Sequence, residues 1–263
     1  MKKLLALVMC IAMLLLVVGC GESAPILVAE KESAGEEVAT TYDEFKDYSY
    51  TAVDTQAKAL MEVSAGTADA AIVDYVMSIG SIGEGTDYAN LVLEGSDYAE
   101  EEYGIAFRKG SDLTAKINEI IRELKADGTL ETIAKNYKLE DLLLGTEESE
   151  AFTKAETDSD YDYVMNKGTL VIGITYFAPM NYQDDKGELV GFETEFAKAV
   201  CAKLGVTPVF QEISWSAKET ELAAKNIDCI WNGMTITAER EENMSVTIPY
   251  MENKQVKVVK EAE

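Results

Sequence analysis

Residues 169–213 read TLVIGITYFAPMNYQDDKGELVGFETEFAKAVCAKLGVTPVFQEI and hold one complete strand–turn–helix–strand unit. Leu170, Val171 and Ile172 form a short apolar run closed by Gly173, which predicts a buried strand. Asp184-Asp185-Lys186-Gly187 has turn chemistry. Beyond Phe192, Ala197, Val200, Cys201 and Leu204 recur at helical spacing until Gly205 stops the helix. Val209–Ile213 is the next strand. A helix between two apolar strands returns the chain to a parallel neighbour, so the unit argues an α/β fold.

Working outward, the same grammar recurs. Downstream come a helix over 217–225, a strand at Cys229–Trp231, a short helix capped by Thr237 that carries Arg240, and an extended stretch over 245–259. Upstream, Ile26–Ala29 is a strand, and Ser33 with Glu36 makes a capping box that opens a helix. Tyr50–Val53 precedes a helix with Ala57, Leu60 and Met61 on one face, ended by Gly66. Ala70–Val73 is a short buried strand running into Asp74. Leu91–Leu93 and Tyr103–Phe107 read as two further strands. Leu113, Ile117, Ile120, Ile121 and Leu124 mark a helix ending at Gly128, followed by another over Leu130–Tyr137. The alternation predicts α/β with a largely parallel sheet. Residues 139–167 turn acidic and polar and read as a partly helical, solvated linker.

Composition excludes several chemistries. The chain has 263 residues, 47% hydrophobic and 27% charged, enough for one large or two modest cores. Histidine is absent, which removes His-based triads and His-containing zinc sites. Twenty-three basic against 48 acidic residues give −25, so nucleic-acid phosphates would be repelled. Asp158, Asp160 and Asp162 have EF-hand spacing, but Tyr163 stands where the loop needs glycine and Thr169 where it needs glutamate. No metal, cofactor or catalytic residue is expected.

At the start, Lys2-Lys3 precede an apolar run from Leu4 to Val18, too short for a typical membrane span and suited to a secretory signal. Val17-Val18-Gly19-Cys20 resembles the bacterial lipobox. It implies a signal over 1–19, lipidation of Cys20, a tether over 20–24, and an extracytoplasmic protein anchored to the membrane by lipid. In that compartment Cys201 and Cys229 are either a disulfide or two buried thiols.

Several stretches resemble one family in an unusual order. Residues 173–182 (GITYFAPMNY), 187–193 (GELVGFE), 227–240 (IDCIWNGMTITAER) and 248–250 (IPY) resemble the first portion of the extracellular solute-binding proteins of family 3, the polar amino-acid receptors of ABC transporters. Residues 66–74 (GTADAAIVD), 103–109 (YGIAFRK) and 125–130 (KADGTL), with the capping segment at Ser33, resemble the later portion. The resemblance implies a two-lobed periplasmic-binding-protein type II fold, circularly permuted, with 139–167 joining the family's usual ends. Residues 25–103 would form the smaller lobe and 104–263 the larger. One covalent crossing near Tyr103 would survive, with 255–259 pairing in the hinge, so closure would be looser than in unpermuted relatives.

The resemblance also implies a ligand, a polar amino acid, and a binding set. A zwitterion needs a fixed cation and a fixed anion. Arg240 is the carboxylate fork and Asp74, at the end of a strand, the ammonium acceptor. Asn232, Gly233 and Thr235 would offer backbone and hydroxyl groups from a turn, and Ser33 would add donors from the other lobe. Here Glu32-Ser33-Ala34 departs from the family, which usually carries glycine before this serine, so the donor is open. Phe177 and Trp215 would flank the aliphatic portion, whereas Trp231 is expected in the core. Glu30 is either a selector of basic side chains or a solvated strand end. The expected protein is a monomeric receptor that delivers its ligand to a permease and is not an enzyme. A sensor for a separate membrane partner and a dehydratase or lyase on the same fold are the alternatives.

Overall fold

The computed structural model describes residues 23–145 and 148–262. The signal, Cys20 and the first part of the expected tether lie outside the described residues.

Local rules set the helix ends. Ser33 Oγ accepts from the N–H of Glu36 at 3.2 Å, and Glu36 Oε2 accepts from the N–H of Glu32 at 2.6 Å, fixing the start of α1 (Ala34–Thr41). Strands β1 (Ile26–Glu30) and β2 (Ser49–Val53) flank that helix in the chain. Helix α2 (Gln56–Ala65) ends on Gly66 in the left-handed conformation, φ +77°. Strand β3 (Ala70–Asp74) is buried along its whole length and runs directly into α3 (Tyr75–Ser81).

The two strands expected at 91–93 and 103–107 are one. Strand β4 (Leu91–Arg108) runs 18 residues without interruption. Its polar middle lacks an apolar signal because it is ordered by hydrogen bonding to β11 (Met251–Lys260), from Leu91↔Lys260 to Tyr103↔Met251. Between these come α4 (Leu113–Ala126), α5 (Thr129–Asn136), α6 (Asp160–Lys167) and β5 (Thr169–Ile174). A small hairpin, β6 (Tyr182–Gln183) with β7 (Leu189–Val190), leads to α7 (Phe192–Leu204) and β8 (Thr207–Glu212). Helix α8 (Lys218–Ala223), β9 (Cys229–Thr235), α9 (Ala238–Asn243) and β10 (Met244–Val246) complete the set.

The main sheet runs β2-β1-β3-β11-β4-β9-β5-β8, with β10 on β4. Strand β1 is parallel to β2 and β3 at one end, and β5 is parallel to β8 and β9 at the other. The long strands β4 and β11 are antiparallel to each other and join the two parallel halves. The sheet is therefore mixed, not largely parallel, because both connecting strands run against their neighbours.

The expected lobe boundary falls at the same place. Residue 103 falls inside β4, and Gln255–Val259 pair with Asp74–Ala70 of β3. The end of the chain thus lies in the sheet of the 25–103 half, and two strands cross between halves. Apolar packing covers both faces. Leu27, Val38, Phe45 and Ile72 cluster in the first half, and Trp215, Leu222, Ile227 and Ile230 in the second. A larger cluster through Tyr103, Ile105 and Phe107 spans the two.

Residues 139–167 are only partly a solvated linker. Leu139 and Val164 are fully buried. Arg108 grips Asp160 at 2.8 Å, and Phe152 packs against Tyr161 with ring centroids 4.9 Å apart. Cys201 and Cys229 are free, buried thiols, and burial pushes the Cys201 thiol up to about 12. Among the described residues no helix is long and apolar enough to cross a membrane.

Candidate functional site

Where the halves meet, a narrow cavity takes residues from both. The first half contributes Glu30, Ser33, Ala34, Gln56 and Asp74, all at strand ends or helix starts. The second contributes Thr175, Tyr176, Phe177 and Trp215 beside Asn232, Gly233, Thr235 and Arg240. All nine residues singled out from the sequence line this one space.

Arg240 is positioned by its own turn. Thr237 Oγ1 accepts the N–H of Arg240 at 3.2 Å, capping α9, and the guanidinium Nη1 donates to the Thr235 carbonyl at 2.7 Å. One N–H is thereby fixed, and a guanidinium has five. Asn232, Gly233 and Thr235 lie on strand β9 and not in a turn, because pairing with β4 extends through Thr235. Asn232 is committed to Thr175, accepting from its hydroxyl at 2.6 Å and donating to its carbonyl at 2.9 Å. Gly233 has φ +54°, and a Cβ there would stand 2.6 Å from a ring carbon of Phe177, so only glycine fits. Its N–H donates to Glu193 Oε1 at 2.8 Å.

Ser33 is a cap. Its hydroxyl donates to the Glu30 carbonyl at 2.7 Å while accepting from Glu36, so the first-turn N–H groups of Ala34 and Gly35 are the better donors toward the cavity. Trp215 is 5% exposed, with Lys218 Nζ 4.8 Å from its ring centroid. Trp231 is core, packed edge-on against Phe196 at 4.9 Å.

Asp74 does not cap α3 through its side chain. Its Oδ2 accepts from Gln56, and its Oδ1 accepts from Gln255 and, at 2.8 Å, from Asn253. Asn253 and Gln255 also donate to Glu101, each at 3.0 Å, and Thr235 Oγ1 donates to Glu101 at 3.1 Å. Amides from β11 thus tie two buried carboxylates into one network across the hinge. Burial raises the pKa of Asp74, while its amide partners act the other way. Burial, then the nearby Asp74, pushes Glu101 up to about 7. Among the described residues no three acidic or sulfur-bearing groups are arranged to hold a metal ion.

Such a cleft, with one fixed guanidinium and one amide-held carboxylate from opposite halves, is chemistry for a small zwitterion. Residues 170–263 match the sequence model of the Bacterial extracellular solute-binding proteins, family 3. This segment is similar in sequence to the family 3 solute-binding proteins. Over 88 residues the chain is 35% identical to the L-cystine-binding protein TcyJ of Escherichia coli, covering 33% of each chain. Over 90 residues it is 37% identical to a probable amino-acid ABC transporter-binding protein of Haemophilus influenzae, covering 34% of this chain and 35% of that one. The chain spans about a third of the length of these curated relatives. A substrate-binding protein of an ABC uptake transporter from Streptococcus pneumoniae with bound histidine shares 35% identity over 33% of this chain and 36% of that one, with a TM-score of 0.32.

Sequence reasoning missed several groups at the site, Gln56, Glu101 and Lys218 among them. Gln56 and Glu101 belong to Asp74's hydrogen-bond network, and Lys218 stands at the cleft mouth. Glu101 sits among Glu100 and Glu102, and only the strand's alternation beside β11 separates the inward residue from its neighbours.

Proposed function

We propose that this chain is an extracytoplasmic receptor, anchored through a lipidated Cys20, that captures one polar amino acid between its halves and delivers it to an ABC-transporter permease. The observation that carries the reading is the convergence of Arg240 and Asp74, from opposite halves, on one cavity. The guanidinium takes the ligand's α-carboxylate, supported by the Ala34 and Gly35 N–H groups. The α-ammonium goes to the Asp74 carboxylate and the Gly233 carbonyl, and Phe177 and Trp215 flank the aliphatic stem. Only the closed arrangement makes both sets of contacts, so the ligand itself favours closure. The names of the two curated relatives, an L-cystine-binding protein and a probable amino-acid ABC transporter-binding protein, support this ligand class.

The chain order fits a circular permutation, since the family 3 segment comes last and the complementary half precedes it, with both halves completed in one sheet. Arg240→Ala tests the reading by calorimetry against a panel of amino acids. Each charge-assisted hydrogen bond contributes about 1.5–3 kcal/mol, so binding should weaken at least ~10-fold while the thermal midpoint stays close to wild type. Unchanged affinity would overturn it. Mass spectrometry of membrane fractions showing an unmodified Cys20 would remove the anchor.

A further inference from the structure

Of the charged side chains at the cleft, five bear on the ligand's charges inside it, and their signs do not balance. Glu30 closes β1, Asp74 closes β3 and Glu101 lies on β4, while Lys218 of α8 and Arg240 of α9 are the cations. Three carboxylates face two cations. An amino acid with a neutral side chain adds one ammonium and one carboxylate and leaves that excess untouched.

Glu30 is the carboxylate left over. Asp74 and Glu101 are held by amides of Gln56, Asn253 and Gln255, whereas Glu30 is 4% exposed and its Oε1 has no hydrogen-bond partner. Lys218 is directed elsewhere, over the Trp215 ring and toward the Glu32 carbonyl at 3.4 Å. A buried carboxylate in that condition either keeps a proton or awaits a donor.

We propose that Glu30 receives the cationic end of a basic amino-acid side chain, which takes the place of a proton held there in the empty cleft. The inference rests on the zwitterion-capture reading above. Arg240 and Asp74 hold the ligand's α-groups, the stem runs past Phe177 and Trp215, and the side-chain ammonium or guanidinium meets Glu30. The displaced proton leaves to solvent. The opening favours the same ligands, because Glu32, Glu36, Glu37, Glu219 and Glu239 line it beside Lys218 and Arg240.

Burial first, and then the neighbouring Asp74, push Glu30 up to about 8, with Lys218 opposing them. In the empty site near pH 7 the carboxyl is therefore mostly protonated, and a cation beside it reverses that. Affinity for basic ligands should rise with pH up to about 8.

The test is isothermal titration calorimetry of the full chain at pH 7 in phosphate and in Tris, whose ionisation enthalpies differ. Ligands are compared in pairs, arginine with citrulline and ornithine with glutamine. The expected result is at least tenfold tighter binding of the cationic member, with proton release that its neutral partner does not cause. Glu30→Gln should abolish both differences and still bind the neutral members. Equal affinities within the pairs, or cationic binding with no extra proton release, overturns the inference and leaves amino-acid capture standing. Binding of neither member of any pair overturns the capture reading and this inference together.

Discussion

The side-chain amide of Asn253 donates to the carboxylate of Asp74 at 2.8 Å, joining residues 179 positions apart in the chain. Strand β11 thus supports a cleft residue of β3 from outside the cleft. Asn253 also accepts the Val76 N–H at 3.1 Å, tying the start of α3 to the same point.

Asn253→Leu removes a donor from Asp74 and Glu101 and an acceptor from Val76. Buried groups left without partners cost about 1–3 kcal/mol each. Urea unfolding should show a loss of about 2–4 kcal/mol, and calorimetry at least tenfold weaker ligand binding. A variant with wild-type affinity would mean that Asp74 needs no such support.

The empty protein should become less stable as pH rises from 5 to 8.5. Burial pushes Glu30 up to about 8 and Glu101 and Glu193 up to about 7. In the unfolded chain the same groups ionise near the ordinary carboxylate value of about 4.3. Folded molecules hold protons there that unfolded ones have lost, so this contribution is complete below that value and disappears through pH 7–8. Differential scanning fluorimetry should show a falling midpoint, flattened in a Glu30→Gln, Glu101→Gln double variant. A midpoint that climbs over this range contradicts the assignment.

Glu193 is buried behind the cleft wall, where it braces Gly233 of β9. It accepts from the Gly233 N–H at 2.8 Å, from Asn181 at 2.7 Å and from the Tyr250 hydroxyl, all buried. Glu193→Ala strands these donors and should cost about 3–5 kcal/mol. Glu193→Gln keeps an acceptor and should cost less; chemical denaturation of the two variants decides between hydrogen bonding and simple filling of space.

The segment before β5 is docked through Arg108. Its guanidinium meets Asp160 at 2.8 Å and the Ile227 carbonyl at 2.9 Å, with Asp228 at 3.8 Å. Asp160→Ala should lower stability by about 1–3 kcal/mol and raise the rate of limited proteolysis within 148–159. An unaltered cleavage rate would show that Phe152 and Val164 hold the segment without the ion pair.

Much of this architecture was readable because short-range chemistry governs it. Ser33, Gly66, Gly205 and Thr237 act within one turn of their own positions, so helix ends follow from a few letters. Arg240 and Asp74 stood out through the family resemblance, and Asp74 also closes a clear strand. What escaped depends on pairing between distant segments. The middle of β4 carries Glu94, Asp97 and Glu100–Glu102, which read as loop until β11 is laid against it. The roles of Glu101, Asn253 and Gln255 are set by that register, which neither strand specifies alone. Ser33 and Asn232 were found at the cleft, but their hydrogen bonds to Glu30 and Thr175 show them shaping it more than presenting free donors.

A sheet that continues from β2 to β8 cannot swing like a door on a pin. Any rotation of one half against the other must be taken up as torsion along β4 and β11. Their register breaks at 254/255, at 256/257 and, against β9, between Gly104 and Ala106. Two of those irregular steps fall where the ribbon passes Asn253 and Gln255, so torsion there would act on the amides that hold Asp74. Under the proposed function, grip and bending would then be mechanically one process.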